Sequence, residues 1–168
     1  MPSLSAVPDA PPDHISARAG APVQSPSPAT PTSTCRVALV DDSPAIRLAL
    51  RELLASFGRG RTFEIVGEAG TGAEGIRLAA EERPDLVILD VEMPVMGGMD
   101  ALPEILSAAP AAQVIVFSAT DARDEALQLG ATAFVPKGDP AALIETLAGC
   151  CPDGSAAGMP RLSEACSR

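Results

Sequence analysis

The chain has 168 residues, a hydrophobic fraction of 46% and a formal net charge of −10, which is enough apolar material for one domain with tails. An acidic balance argues against nucleic acid as a partner, because phosphate contacts need a basic surface. No apolar run approaches the roughly 18 residues of a membrane span, and the N-terminus lacks the basic start and apolar block of a signal peptide. A cytoplasmic protein without membrane insertion is therefore expected.

Residues 1–34 hold eight prolines among Ser, Ala and Thr. They have no period and read as a disordered tail. From Cys35 the texture changes. Val37-Ala38-Leu39-Val40 reads as a short buried strand ending in Asp41-Asp42. Ser43 then reads as a helix N-cap and Pro44 as the first helical residue. Ile46, Leu50, Leu53, Leu54 and Phe57 share one face of that helix, which Gly58 and Gly60 end. Phe63 to Gly67 is a second strand. Thr71 to Arg83 is a second helix, stopped by Pro84.

Leu86-Val87-Ile88-Leu89 is apolar without a break, the pattern of a strand buried on both faces. It ends on Asp90, followed by a loop that contains Pro94, Gly97 and Gly98. A third helix is expected from about Met99 to Ala108, with Pro103 implying a kink or a late start. Gln113 to Ser118 is a fourth strand and Asp121 to Leu129 a short helix with Gly130 past its end. Ala133 to Pro136 is a fifth strand, followed by Lys137. Asp139 caps a last helix with Leu143, Ile144 and Leu147 inward. Residues 151–168 read as a flexible tail, which leaves 35–150 as the folded domain. Strands alternating with helices predict an α/β fold: a doubly wound, five-stranded parallel sheet with helices on both faces.

All carboxyl ends of a parallel sheet lie on one edge, where ligands bind. That edge collects Asp41, Asp42, Asp90, Ser118 and Lys137. Two unit charges about 4 Å apart repel by roughly 4 kcal/mol at an effective dielectric of about 20. Clustered carboxylates therefore need a counter-charge. A hard divalent cation such as Mg²⁺ supplies one and takes carboxylates together with phosphate oxygens. Lys137, the only lysine beside eleven arginines, supplies another. The chemistry that fits is Mg²⁺-dependent phosphoryl transfer to Asp90, with Lys137 and the Ser118 hydroxyl on the phosphoryl oxygens. The four cysteines form no CxxC pair, and the single histidine, His14, lies in the N-terminal tail. A zinc site and a Ser-His-Asp triad are thus not expected, and the thiols are expected reduced.

Val40-Asp41-Asp42-Ser43, the 89–98 segment Leu-Asp-Val-Glu-Met-Pro-Val-Met-Gly-Gly, Phe117-Ser118-Ala119 and the 130–137 segment Gly-Ala-Thr-Ala-Phe-Val-Pro-Lys resemble the receiver domain of two-component response regulators. The resemblance implies a flavodoxin-like sheet of order 2-1-3-4-5. It implies that Asp90 accepts a phosphoryl group from a histidine kinase or phosphotransfer protein. Asp42, Asp90 and the Glu92 backbone would bind Mg²⁺ with Asp41 in the acid pocket, and Ser118 and Phe134 would form the switch pair. The 89–96 and 130–137 segments are also similar to the regulatory half of chemotaxis methylesterases. No esterase or DNA-binding segment follows in this sequence, so a stand-alone receiver is expected. Its output would be a phosphorylation-dependent protein contact, or else it would act as a phosphate sink or a scaffold.

Three departures from the family pattern stand out. Gly138 follows Lys137 where many receivers have proline, the fourth helix is short, and Glu92 lies two residues after the phosphoacceptor. A rival reading comes from Gly70-Thr71-Gly72-Ala73-Glu74-Gly75, which matches the dinucleotide fingerprint of a small NAD-binding enzyme. The first strand–helix turn, Asp41-Asp42-Ser43, would however repel a pyrophosphate.

Overall fold

The computed structural model describes residues 33–56 and 61–150. The predicted tails fall outside them, apart from Ser33 and Thr34, as do Phe57, Gly58 and Gly60. Ten elements alternate along the chain: β1 (Ser33–Val40), α1 (Pro44–Ala55), β2 (Arg61–Ala69), α2 (Gly72–Glu82), β3 (Leu86–Leu89), α3 (Gly98–Ala108), β4 (Gln113–Ser118), α4 (Arg123–Gln128), β5 (Ala133–Pro136) and α5 (Pro140–Cys150). The sheet has the order β2-β1-β3-β4-β5, and every adjacent pair is parallel.

Residue parity along the strands builds two cores. Val87 and Leu89 of β3 face one way, with Val40, Val114, Val116, Leu102, Ile105 and Phe134. Leu86 and Ile88 face the other, with Val37, Leu39, Ile115, Leu50, Leu54, Leu143 and Leu147. Helices α2, α3 and α4 thus cover one face, and α1 and α5 the other. Each such side chain contributes about 1.5–3 kcal/mol through removal from water, and this fixes the register that sets Asp90 at the sheet edge.

Several boundaries differ from the sequence expectation. β1 begins at Ser33, inside the predicted tail, because it pairs with Arg61 and Thr62 at the start of a longer β2. That pairing skips Val66, a bulge opposite the Val37–Ala38 step. Helix α4 runs only from Arg123 to Gln128. Asp121 instead turns back, its Oδ1 accepting the Arg123 N–H at 3.5 Å. Ser43 occupies the N-cap of α1, but its hydroxyl makes no capping bond. Its N–H donates to Asp41 Oδ1 at 2.9 Å. Asp139 does cap α5, accepting the Ala142 N–H at 2.9 Å. Cys35 is disulfide-bonded and Cys150 free, which corrects the expectation of reduced thiols throughout. A disulfide depends on spatial approach, which spacing along a chain does not reveal.

Two of the three fingerprint glycines, Gly72 and Gly75, serve packing. A Cβ on Gly72 would lie 2.9 Å from the Met96 carbonyl oxygen, and one on Gly75 would lie 2.8 Å from Val40. Three N–H groups at this turn are already used. Gly70 donates to Glu74 Oε2 at 3.0 Å, Gly72 to Met96 O at 3.1 Å, and Glu74 to Thr71 Oγ1 at 3.3 Å. A pyrophosphate would find no free donors among them. No helix among the described residues is long and apolar enough to cross a membrane.

Candidate phosphoacceptor site

The carboxyl edge holds the predicted groups together. Asp41 follows β1, Asp90 follows β3, Ser118 ends β4 and Lys137 follows β5. Asp41, Asp90 and Ser118 are the buried polar side chains among the described residues, at 2%, 3% and 0% exposure. Asp42 is exposed at the rim. Carboxylate oxygens of Asp41, Asp42 and Asp90 lie within 4.8 Å of one another. Lys137 Nζ bridges two of them, 2.9 Å from Asp41 Oδ2 and 2.8 Å from Asp90 Oδ2. The Lys137 N–H is anchored in turn on the Ser118 carbonyl at 2.9 Å, so β4 and β5 position the ammonium together.

Burial raises the Asp90 carboxyl above its ordinary value of 3.8, against the opposing hydrogen bonds from Lys137 and the Glu92 backbone. Burial alone would lower Lys137, yet its bonds to Asp90 and Asp41 outweigh this and raise it above 10.5. The site therefore keeps its ammonium charged. Asp90 Oδ1 is buried and has no hydrogen-bond partner. An ionised oxygen left so is costly unless something outside the protein meets it.

The cluster fits Mg²⁺. It offers hard oxygen donors from Asp41, Asp42 and Asp90, one oxygen unpartnered, and an open rim at Asp42 where water or phosphate can complete the shell. Glu92 is exposed, and its side chain stands outside the carboxylate cluster.

Ser118 Oγ accepts the Thr120 N–H at 3.2 Å. Phe134 is 6% exposed, with its ring on the α2–α3–α4 side. A cavity of about 290 Å³ lies between them, lined also by Thr120, Arg123 and Pro136. Arg123 lies over the Phe134 ring at 5.2 Å, a cation–π contact that sequence reasoning missed. Also missed was a chain of charges on α1 and β2. Arg47 Nε meets Glu68 Oε2 at 3.0 Å, and Arg51 pairs with the other Glu68 oxygen. The bond from Arg51 holds the Glu68 carboxyl below its ordinary value, reinforced by Arg47 and opposed by burial. The available signal was weak: Glu68 sits at the carboxyl end of a strand, like the acids already singled out.

The loop after Asp90 is tightly closed. Gly98 N–H donates to Val91 O at 2.9 Å. Val95 within it has φ +70° and is fully exposed. A β-branched residue there bears left-handed strain of about 1–2 kcal/mol. Val95→Asn should therefore raise the unfolding free energy by about 1 kcal/mol, because Asn tolerates this conformation. An unchanged denaturant midpoint would show that the strain is absent.

The sequence matches the family model described as response regulator receiver domain over residues 37–148. The chemotaxis protein CheY of Thermotoga maritima is 36% identical over 116 residues, spanning 67% of this chain and 93% of that protein. The transcriptional regulatory protein PdtaR of Mycobacterium tuberculosis is 43% identical over 104 residues, 61% of this chain and 49% of PdtaR. This chain thus spans about half the length of that relative. The response regulator domain of Thermotoga maritima CheB superposes with a TM-score of 0.62 at 28% identity, covering 70% of this chain and 96% of that one. A Borrelia burgdorferi CheX–CheY–BeF₃–Mg²⁺ complex gives 0.62 at 29% identity, covering 68% and 87%. Receiver domains are signalling phosphoacceptors rather than enzymes acting on a separate substrate. The sheet order agrees with these matches, and the chain belongs to the response regulator receiver domain family.

Proposed function

We propose that this protein accepts a phosphoryl group on Asp90 from a histidine kinase or phosphotransfer protein, in a Mg²⁺-dependent reaction, and signals through a phosphorylation-dependent protein contact. The observation that carries the reading is Asp90 itself, 3% exposed, with one oxygen on Lys137 and the other unpartnered beside Asp41 and Asp42. The bound cation would neutralise the acid cluster and the incoming phosphoryl oxygens. The Asp90 carboxylate attacks phosphorus as the bond to the donor's imidazole nitrogen breaks, and that nitrogen keeps the electron pair. Lys137 then stands beside the new acyl phosphate and pairs with one of its oxygens. To do so it must leave Asp90 Oδ2, and its backbone tie to the Ser118 carbonyl carries the change into β4. Ser118 meets a second phosphoryl oxygen by giving up its bond with Thr120, which alters the cavity roofed by Phe134 and Arg123.

This division of roles is testable. Lys137→Ala should still acquire phosphate, yet lose the change in amide exchange around Ser118 and Phe134 that phosphorylation produces in the wild type. An unaltered exchange response would remove Lys137 from the coupling. For the reading as a whole, the purified chain is incubated with acetyl phosphate, with Mg²⁺ or with chelator, and its intact mass recorded. One phosphoryl adduct that depends on Mg²⁺ is expected. Adduct formation that is indifferent to the chelator would contradict the cation's role. A protein partner captured equally with and without beryllofluoride would replace the output function with that of a phosphate sink or scaffold.

A further inference from the structure

Asp41 and Asp42 are adjacent in sequence but very differently held. Asp41 donates its N–H to Ala69 O at 3.0 Å. Its Oδ1 takes the Ser43 N–H at 2.9 Å and its Oδ2 takes Lys137 at 2.9 Å. Asp42 is exposed, and no hydrogen bond or ion pair among the described residues holds its side chain. What aims Asp42 is therefore the peptide that joins it to Asp41. The carbonyl of that peptide is itself bonded, by Arg47 Nη1.

Arg47 reaches this carbonyl from the first turns of α1, and its other side is fixed. Nε is 3.0 Å from Glu68 Oε2, and the two side chains are 19% and 23% exposed. Arg51 holds the second Glu68 oxygen. The result is a chain running from Arg51 through Glu68 and Arg47 to the Asp41 carbonyl. A planar guanidinium can bond a carboxylate with one nitrogen and a carbonyl with another, in fixed directions, where an ammonium acts as a point charge. Glu68 has a second effect. A guanidinium beside three carboxylates is drawn toward them, and there it would compete with a cation. Glu68 holds it on the backbone instead.

We propose that Arg47, held by Glu68, is a positioning residue for cation binding: it orients the Asp41–Asp42 peptide so that Asp42 faces Asp90, and Glu68 keeps the guanidinium off the carboxylates. The inference rests on the reading that the acid cluster takes Mg²⁺. Arg47 touches neither the cation nor the phosphoryl group.

The test is Mg²⁺ titration of the wild type, Arg47→Ala, Glu68→Gln and the double variant, followed by calorimetry and by backbone amide shifts. It is paired with the rate of uptake from acetyl phosphate at saturating Mg²⁺. Arg47→Ala should weaken Mg²⁺ about tenfold, the range seen when residues supporting a ligand are removed. Its uptake rate at saturating Mg²⁺ should stay near wild type, since orientation is then recovered by binding. Glu68→Gln should also weaken Mg²⁺, but should add nothing in the Arg47→Ala background, because it acts through that guanidinium. A loss of fold would lower thermal stability without producing this pattern. Wild-type Mg²⁺ affinity in Arg47→Ala, with affinity lost in Asp42→Ala, would overturn the inference and leave the site reading standing. A wild type that binds no Mg²⁺ would defeat the site reading and the inference with it.

Discussion

Asp90→Ala should take up no phosphoryl group from any donor while folding at least as well as the wild type. The loss follows from position. Asp90 stands at the end of β3, the central strand, and its Oδ1 is the buried side-chain oxygen among the described residues that lacks a hydrogen-bond partner. Asp41 cannot take its place, since its two oxygens are engaged by Ser43 and Lys137. Asp42 is exposed and lacks the Lys137 contact. The retained fold follows from energetics. The substitution removes a buried, unpartnered oxygen, worth about 1–3 kcal/mol, and relieves the repulsion from Asp41. Lys137 keeps Asp41 as its counter-charge. Intact mass and a thermal melt decide the matter: an adduct in Asp90→Ala refutes the assignment, and a melt far below wild type refutes the energetic argument.

Gly98→Ala should be among the most destabilising single-methyl additions in the domain, at about 3 kcal/mol. A Cβ at this position would lie 1.8 Å from the Asp90 carbonyl oxygen and 2.8 Å from its carbonyl carbon. The obstacle is backbone, so no rotamer change relieves it. The loop must open, and the Gly98 to Val91 bond must lengthen with it. Because the obstructed carbonyl belongs to Asp90, the carboxylate shifts too, and phosphoryl uptake should fall together with stability. Gly138→Ala provides the control. Nothing lies within 4 Å of its would-be Cβ, so the change should stay within about 0.5 kcal/mol. Denaturant midpoints compare the two, and equal midpoints would mean that the loop is looser than its geometry indicates.

Much of this arrangement is legible in the sequence because burial on both faces leaves a plain signature. Leu86 to Leu89 has no polar residue, so it had to be a central strand, and an acid directly after it had to sit at the ligand edge. Lys137 was legible as the single lysine next to a strand end. Less legible were the features that depend on long-range pairing. Thr62 gives no local sign of belonging to β2, since its pairing with Thr34 extends the strand. The start of α4 was misplaced because Asp121 can cap or turn, and the choice is made by its surroundings. The Arg47–Glu68–Arg51 chain joins α1 to β2 through side-chain reach alone, which periodicity does not encode. Gly72 and Gly75 imitated a nucleotide motif because close helix packing and close phosphate approach both require a missing Cβ.

The most direct measurement locates the phosphoryl group. The chain is treated with acetyl phosphate and Mg²⁺, then with borohydride, which reduces an acyl phosphate to the alcohol and turns a phosphorylated aspartate into homoserine. Peptide mass spectrometry then reads each acidic position. Homoserine at position 90, and at neither 41 nor 42, is the expected result. Homoserine at another position, or a phosphoryl adduct that survives borohydride unchanged, would contradict the assignment of Asp90 as the acceptor.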